Sequence, residues 1–239
     1  MSVDPAIHRA LAGACAFADE RLPENLPPEP LATFQAWLAY AAASKSQPNP
    51  NAFALATVAA HAAPSVRIVL ARRLHAELGA IVFFTNAHSH KGSELQPTAP
   101  DAPAHAAACF HWDHLSRQVR IQGPVTPAPA RESDEYFASR PRASQIAAWA
   151  SDQSAPIASR AALLAKFAAA EQRFAGAREV PRPPHWGGFR LWIQSIELWH
   201  GDTARLHDRA LWTRTLAPAQ IEATPGFRGG PWTATRLQP

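Results

Sequence analysis

The chain has 239 residues, 47% of them apolar, and a net charge of +4, enough for one large domain or two small ones around a sizeable core. A sequence pI near 9.6 suits an anionic small molecule. The absence of any long Lys/Arg run argues against a nucleic-acid patch. Cys15 and Cys109 form neither a CxxC pair nor a metal-ligand spacing, so no metal is expected. The apolar run from Leu11 to Phe17 is followed by Asp19 and Glu20, a poor signal peptide, and no stretch is long enough to span a membrane. A reduced, cytoplasmic protein is the expectation.

Residues 1 to 30 are rich in Pro and Ala and are expected to be mobile, with residues 31–239 forming one domain. "PLATFQAWLAYAAAS" (Pro30 to Ser44) has apolar residues at helical spacing and is closed by "QPNPN". "AFALATVAA", "SVRIVLARR" and "AIVFFTN" are β-branched or aromatic runs between turn-like stretches and predict three antiparallel strands. "SHKGSELQ" predicts a short helix or turn, "PTAPDAPAH" a loop, and "AAACFHW" and "RQVRIQGPV" two more strands. In the last, Val119 and Ile121 face one way, and Gln118, Arg120 and Gln122 the other.

A helical insert follows, over about 129–176. "PARESDEYFASR" should stop at Arg140, because Pro141 disfavours helix before it and can itself open the next helix. "SAPIASRAALLAKFAAAEQRFAG" predicts a long helix with Ser154 as N-cap and Gly176 as stop. "FRLWIQSIELW", "ARLHDRALWTR" and "WTATRLQP" then read as strands. In an extended "ARLHDR", Arg205, His207 and Arg209 would share one face, and three clustered cations call for an anion in front of them. Five strands, an insert and three strands suggest a mainly β fold with packed helices, a barrel closed by both halves of the chain.

Several residues are candidate anion contacts. Arg67 sits mid-strand and Lys91 begins a short helix; a solvated surface charge is the competing reading of each. In "YFASRPRASQ", Tyr136, Arg140 and Ser144 together offer a guanidinium, two hydroxyls and backbone amides, a phosphate pocket or alternatively a capping cluster at a kink. "SDQSAP" (Ser151 to Pro156) offers donors before a helix. Trp199, beside the Arg/His segment, is the tryptophan placed to cover a planar ligand.

"RIVLARR", "FFTNAHSHKGSEL", "HLSRQVRIQG", "YFASRPRASQIAAWASDQS", "WGGFRLWIQSIELWHG" and "RLHDR" stand in the order and spacing of one family. Over roughly Leu31 to Pro239 the chain resembles the pyridoxamine 5′-phosphate oxidases. The resemblance implies a homodimeric split β-barrel with FMN at the subunit interface. It implies oxidation of pyridoxine 5′-phosphate and pyridoxamine 5′-phosphate to pyridoxal 5′-phosphate, with O2 reduced to H2O2. It assigns Arg67, Ile68, Val69, Leu70, Phe84, Thr85, Ser89, His90, Lys91 and Gln118 to FMN, with Arg72 at the end of the same strand. Gln153, Ser154, Trp199 and Arg209 would reach FMN from the partner subunit. Arg72, Tyr136, Arg140 and Ser144 would hold the substrate phosphate. Arg205 and His207 would lie over the substrate ring as the catalytic pair.

Some positions depart from the family pattern. Arg72 stands where a lysine is usual, and the two are not equivalent at a tight phosphate site. His90 stands where an arginine is usual, which weakens phosphate binding unless the imidazole is protonated. Asn49 or Asn51 stands where an acidic residue is common, Phe17 is the nearest counterpart of a site-covering tyrosine, and the loop from Pro97 to Ala104 is longer than usual. Two rival readings remain: a related flavin oxidase acting on another aromatic substrate, of the phenazine-biosynthesis type, and a non-catalytic protein that binds FMN or pyridoxal phosphate.

Overall fold

The computed structural model describes residues 21–97 and 102–239. Phe17, Cys15 and most of the N-terminal segment lie outside the described residues, as does part of the loop from Pro97 to Ala104. The first helix, α1 (Leu31–Ser44), buries Leu31, Phe34, Trp37 and Ala41, one stripe at three- to four-residue spacing. Lys45 ends it in the left-handed region with φ 54°. Strands β1 (Ala52–Val58), β2 (Pro64–Leu70), β3 (Arg73–His75) and β4 (Ala80–Asn86) follow, then the short α2 (His90–Glu94), β5 (Ala104–Trp112) and β6 (Arg117–Pro127). The insert comprises α3 (Ala130–Ser139), α4 (Arg142–Ala150) and α5 (Arg160–Arg173). The chain closes with β7 (Trp186–Trp192), β8 (Ser195–His200), β9 (Asp208–Thr213), β10 (Leu216–Ile221), β11 (Thr224–Gly229) and β12 (Thr233–Leu237).

Ten strands share one antiparallel sheet, in which the order β12-β9-β8-β6-β5-β1-β2 is joined by a branch from β6 through β7 and β4 to β3. The branch point is β6. Arg117 to Gln122 pair with β8, and Val125 to Pro127 pair with β7. Gly123 marks the switch: a Cβ there would lie 1.8 Å from the Trp192 carbonyl oxygen, so only glycine lets the two backbones pass. The Arg72 amide donates to the Val82 carbonyl at 2.8 Å, bringing the end of β2 to β4. Strands β2, β1, β5, β6, β7 and β4 thus curl into the expected split β-barrel, and β8, β9 and β12 extend from it as a wing.

The barrel core holds Phe53, Phe83, Phe110, Val119, Ile121 and Leu191, with Phe34 and Trp37 of α1 over one end. Core tryptophans keep their indole N–H groups satisfied: Trp112 donates to Pro50 O, Trp192 to Thr126 Oγ1 and Trp212 to Pro27 O. Residues 21–30 lie against the wing, where Leu22 is buried, its amide donates to Asp208, and Arg236 reaches Pro23 O. A second cluster, including Phe137, Ile146, Phe174 and Trp186, joins the insert to β7. Among the described residues no helix is long and apolar enough to cross a membrane.

The structure corrects four expectations. The long helix starts at Arg160, capped by Ser159, whose hydroxyl accepts from the Ala162 amide. Ser154 is no cap: its φ is 76°, and Pro156 keeps residue 155 out of the helical region. "FRLWIQSIELW" is two strands, because the chain leaves the barrel for the wing at Ile193 and Gln194. The hairpin β10–β11 was unanticipated, since its turn residues Glu222 and Ala223 take positive φ of 52° and 61° without the usual Asn or Gly. Finally, the last strand of the Arg/His segment begins only at Asp208. Residues 201–207 form a loop in which Asp202 Oδ1 accepts from the Ala204 amide at 2.8 Å, and Arg205 has φ 65°. Arg205, His207 and Arg209 therefore do not share one strand face; the Asx turn at Asp202 breaks the extension.

Candidate functional site

A cleft of about 420 Å³ opens where β2 and β4 meet the insert. Ile68, Val69 and Leu70 of β2, with Arg72, form one wall, and Phe84 and Thr85 of β4 form the floor. Lys91, Tyr136, Arg140, Gln153 and Trp186 complete it. Alternation along β4 explains part of this: Phe83 points into the barrel core and Phe84 out toward the insert.

At one end of the cleft Lys91 is buried. Its Nζ donates to Gln153 Oε1 at 2.8 Å, Thr85 Oγ1 at 3.0 Å and Ser89 Oγ at 3.2 Å. All three partners are neutral. Burial, and then the charge of Arg67, push the Lys91 pKa below its ordinary value. An anion in this cleft would relieve that penalty. Ser89 is buried, caps α2 by accepting from the Gly92 amide and donates to Asn86 O, so it shapes the loop that carries Lys91.

At the other end, Phe84, Tyr136 and Trp186 stack, with ring centroids 4.2 Å apart for Phe84–Tyr136 and 5.5 Å for Phe84–Trp186. Arg72 lies over the Tyr136 ring at 5.5 Å and Arg140 over Trp186 at 4.8 Å. Arg140 Nη1 is buried with no hydrogen-bond partner among the described residues. Burial lowers the Arg140 pKa, outweighing the opposing effect of Tyr136, and Arg72 adds a smaller push in the same direction as burial. Two guanidiniums and a phenol at one end, with an orphaned buried donor, are the kind of donors that a doubly charged oxyanion would accept from. Ser144 stands one turn before Ala147 and Ala148 on α4; those two line the cleft and Ser144 does not.

Other assigned residues fall elsewhere. Arg67 faces away, bonded to Thr57, Ser65 and Glu94, with a 3.2 Å ion pair to Glu94. Burial opposes the Glu94 charge, but hydrogen bonds from Thr57 and Ser65 and the neighbouring cations hold its pKa below the ordinary carboxylate range. Arg67 is thus already paired within the chain. His90 is exposed and pairs with Glu94 at 3.4 Å. Gln153 reaches the cleft of its own chain, whereas the resemblance brings it from the partner.

Gln118, Trp199 and Arg209 form a second group. Gln118 is registered against Trp199, and Trp199 against Arg209, on the outer face of β6, β8 and β9. Arg209 is held by Glu197, its Nε donating at 2.9 Å. The His207 ring lies 4.7 Å from Trp199, and its Nδ1 accepts from the Asp202 amide at 3.1 Å, which in the neutral ring leaves the proton on Nε2. Arg205 is exposed on the same loop. Strands β1, β5 and β6 stand between β2 and β8, about 19 Å along the sheet at ~4.8 Å per spacing. The assigned residues of one chain therefore fall into two groups, and the Gln118 expected in the cleft stands on β6 beside Trp199 of the wing.

The sequence reading missed the support behind the cleft. Glu132 of α3, almost fully buried, binds Arg190 at 3.0 Å, His75 at 2.9 Å and Arg73 at 3.4 Å. Arg190 also binds Glu222 of the β10–β11 turn at 2.7 Å. A buried carboxylate one turn before Tyr136 was the available signal, but burial is not visible in "RESDEY". Asn86, which lines the cleft and donates to Ser151 O, was also missed.

Two family models match: "Pyridoxamine 5′-phosphate oxidase" over residues 41–174 and "Pyridoxine 5′-phosphate oxidase C-terminal dimerisation region" over residues 186–239. A pyridoxine/pyridoxamine 5′-phosphate oxidase from Burkholderia orbicola (strain MC0-3) is 48% identical, covering 89% of this chain and 90% of its own. One from Anaeromyxobacter dehalogenans (strain 2CP-C) is 44% identical, covering 91% and 99%. Among solved structures, PhzG from Burkholderia lata 383, in complex with tetrahydrophenazine-1-carboxylic acid, superposes with a TM-score of 0.77 at 29% identity, covering 92% and 98%. An FMN-binding protein from Nostoc punctiforme, described as related to pyridoxamine 5′-phosphate oxidase, shares the fold with a TM-score of 0.63 at 16% identity, covering 90% and 100%.

Proposed function

This chain belongs to the pyridoxamine 5′-phosphate oxidase family, and from that premise we propose that it is an FMN-dependent oxidase of phosphorylated B6 vitamers. The reading converts pyridoxine 5′-phosphate and O2 to pyridoxal 5′-phosphate and H2O2. With pyridoxamine 5′-phosphate, water is consumed and ammonia released as well. Bound FMN would accept two electrons from the substrate and pass them to O2.

The observation that carries this reading is the Arg72–Tyr136–Arg140 receptor with its orphaned Arg140 donor. A substrate without a phosphate has no use for it. Lys91, with Thr85 and Gln153, would hold the anionic part of the cofactor, and Ile68 to Leu70 would flank it. The wing supplies what the cleft lacks. In a homodimer, Trp199, Arg209 and the loop carrying Arg205 and His207 would come from the partner and close over the cleft. Arg205 would orient the substrate ring and favour negative charge building beside it. His207, with its Nδ1 occupied by the Asp202 amide, would present Nε2 and hold a proton there. Ser154 completes the proposed cofactor contacts, and Ser144, which does not line the cleft, is left out of the phosphate contacts.

A second reading, an oxidase of a phenazine-type substrate, is favoured by the likeness to PhzG. The FMN-reconstituted protein should be given pyridoxine 5′-phosphate in air, and in parallel tetrahydrophenazine-1-carboxylic acid. Equal amounts of pyridoxal 5′-phosphate and H2O2 are expected from the first. Turnover of the phenazine alone would support the second reading, and retention of FMN with neither product would indicate a binding protein.

A further inference from the structure

Arg140 lines two cavities. One is the cleft; the other, of about 650 Å³, lies between the end of α3, the start of α4 and the segment of residues 178–182. The Arg140 guanidinium stands where the two meet. It lies 4.8 Å from the ring centre of Trp186, which lines the cleft, and 5.5 Å from that of Phe137, which lines the second cavity. Its Nη1 is buried without a hydrogen-bond partner among the described residues.

The second cavity is positive. Arg142, Arg178 and Arg182 join Arg140 there, against the carboxylates of Asp134 and Glu179, so four guanidiniums face two carboxylates. Arg182 is held by Asp134 at 2.6 Å, and Arg142 is fixed by the Phe174 carbonyl oxygen at 2.6 Å. Arg178 is exposed and makes no hydrogen bond or ion pair among the described residues. The carbonyls at a helix end would repel an anion, but Gln145 covers the end of α3, donating to the Phe137 and Ala138 carbonyls at 3.0 and 3.2 Å. The start of α4 adds the positive end of its dipole. Like charges gathered around a cavity repel one another, and an oxyanion between them relieves that. Of the four arginines only Arg140 lines the cleft, so the excess charge has no use in the substrate site.

We propose that this cavity is a second oxyanion site, for phosphate as the free ion or as a monoester, coupled negatively to the cleft through Arg140. The site stands on the cavity itself; its coupling rests on the proposed receptor for the substrate phosphate. Two dianions on either side of one monocation repel across it and compete for its donors. A phosphate in the second cavity therefore weakens the hold on the substrate phosphate, and the effect is reciprocal. It raises KM and leaves kcat unchanged, because Arg140 would hold the substrate's phosphate and not its reacting atoms.

The test is calorimetric titration of the FMN-reconstituted protein with inorganic phosphate at constant ionic strength, for the wild type, Arg178→Gln and Arg72→Gln. Arg178 is exposed, so its substitution leaves the core intact, and Arg72 lines the cleft but not the second cavity. The wild type should bind phosphate at two sites. Arg178→Gln should weaken one about tenfold and Arg72→Gln the other, the effect of one nearby charge. In turnover of pyridoxine 5′-phosphate, the wild type and Arg178→Gln should share one KM without added phosphate. Added phosphate should then raise KM about fivefold more in the wild type, with kcat unchanged in both. Phenyl phosphate as a second probe separates the sources: an Arg178-dependent effect of the ester alone assigns the cavity to a monoester, and an effect of both probes assigns it to the free ion. Equal binding of each probe to the wild type and Arg178→Gln would overturn the site. Arg178-dependent binding with equal KM responses would overturn the coupling. Arg178-dependent binding by a protein that does not oxidise pyridoxine 5′-phosphate would overturn the proposed substrate and leave this site standing.

Discussion

Lys91 is a cation surrounded by neutral acceptors in a buried place, a costly arrangement that an anionic ligand would repay. Replacing it with methionine removes the charge and keeps the bulk. FMN affinity of Lys91→Met should fall roughly a hundredfold, the scale of a lost charge-assisted hydrogen bond to a phosphate, while the melting temperature of the apoprotein changes little. Flavin titration and thermal melts check both halves. The lowered Lys91 pKa gives a pH prediction with a definite sign. The apoprotein sheds this proton at lower pH than a free lysine does, and a bound anion restores it. FMN binding at alkaline pH should therefore take up protons, read as a dependence of binding enthalpy on the ionisation enthalpy of the buffer. Lys91→Met should abolish that uptake. At this scale the sequence was informative where a residue's type decides its chemistry, as with Lys91, Tyr136 and Arg140. It was uninformative about Arg67, whose partner Glu94 lies 27 residues away and occupies it from across the fold.

Among the elements, α3 presents the clearest dependence. It carries Tyr136 into the cleft, with Arg140 immediately past its end, and is fastened by Glu132 to Arg190, which is 2% exposed. Removing one partner of a buried ion pair strands the other. Glu132→Ala should lower stability by about 3 kcal/mol in urea unfolding and raise KM for pyridoxine 5′-phosphate more than it lowers kcat. Loss of stability with an unchanged KM would mean that Glu132 anchors the helix without setting its aim. Apolar spacing revealed α1, the proline after Arg140 bounded α3, and β-branched or aromatic runs revealed the barrel strands. These signals failed where a local device overrides the pattern: the Asx turn at Asp202, the positive φ at Glu222 and Ala223, and the branch at Gly123. The cation triplet of residues 205–209 spans a loop and a strand start in place of one strand.

For the whole molecule, the assigned residues of one chain fall in two groups, the cleft and the wing, with three strands between β2 and β8. The match of residues 186–239 to a dimerisation region places the wing at the contact between subunits of the family. In the proposed homodimer, each catalytic site is built from the cleft of one chain and the wing of another. Subunit complementation tests it most directly. Lys91→Met should be inactive through the cleft, and Arg205→Ala through the wing. Co-refolded in equal amounts, half of the dimers are mixed and each mixed dimer regains one intact site, so the mixture should recover about a quarter of wild-type activity. A mixture no more active than the mean of its two parents, with mixed dimers shown to form, would contradict the claim and place the whole site within one chain.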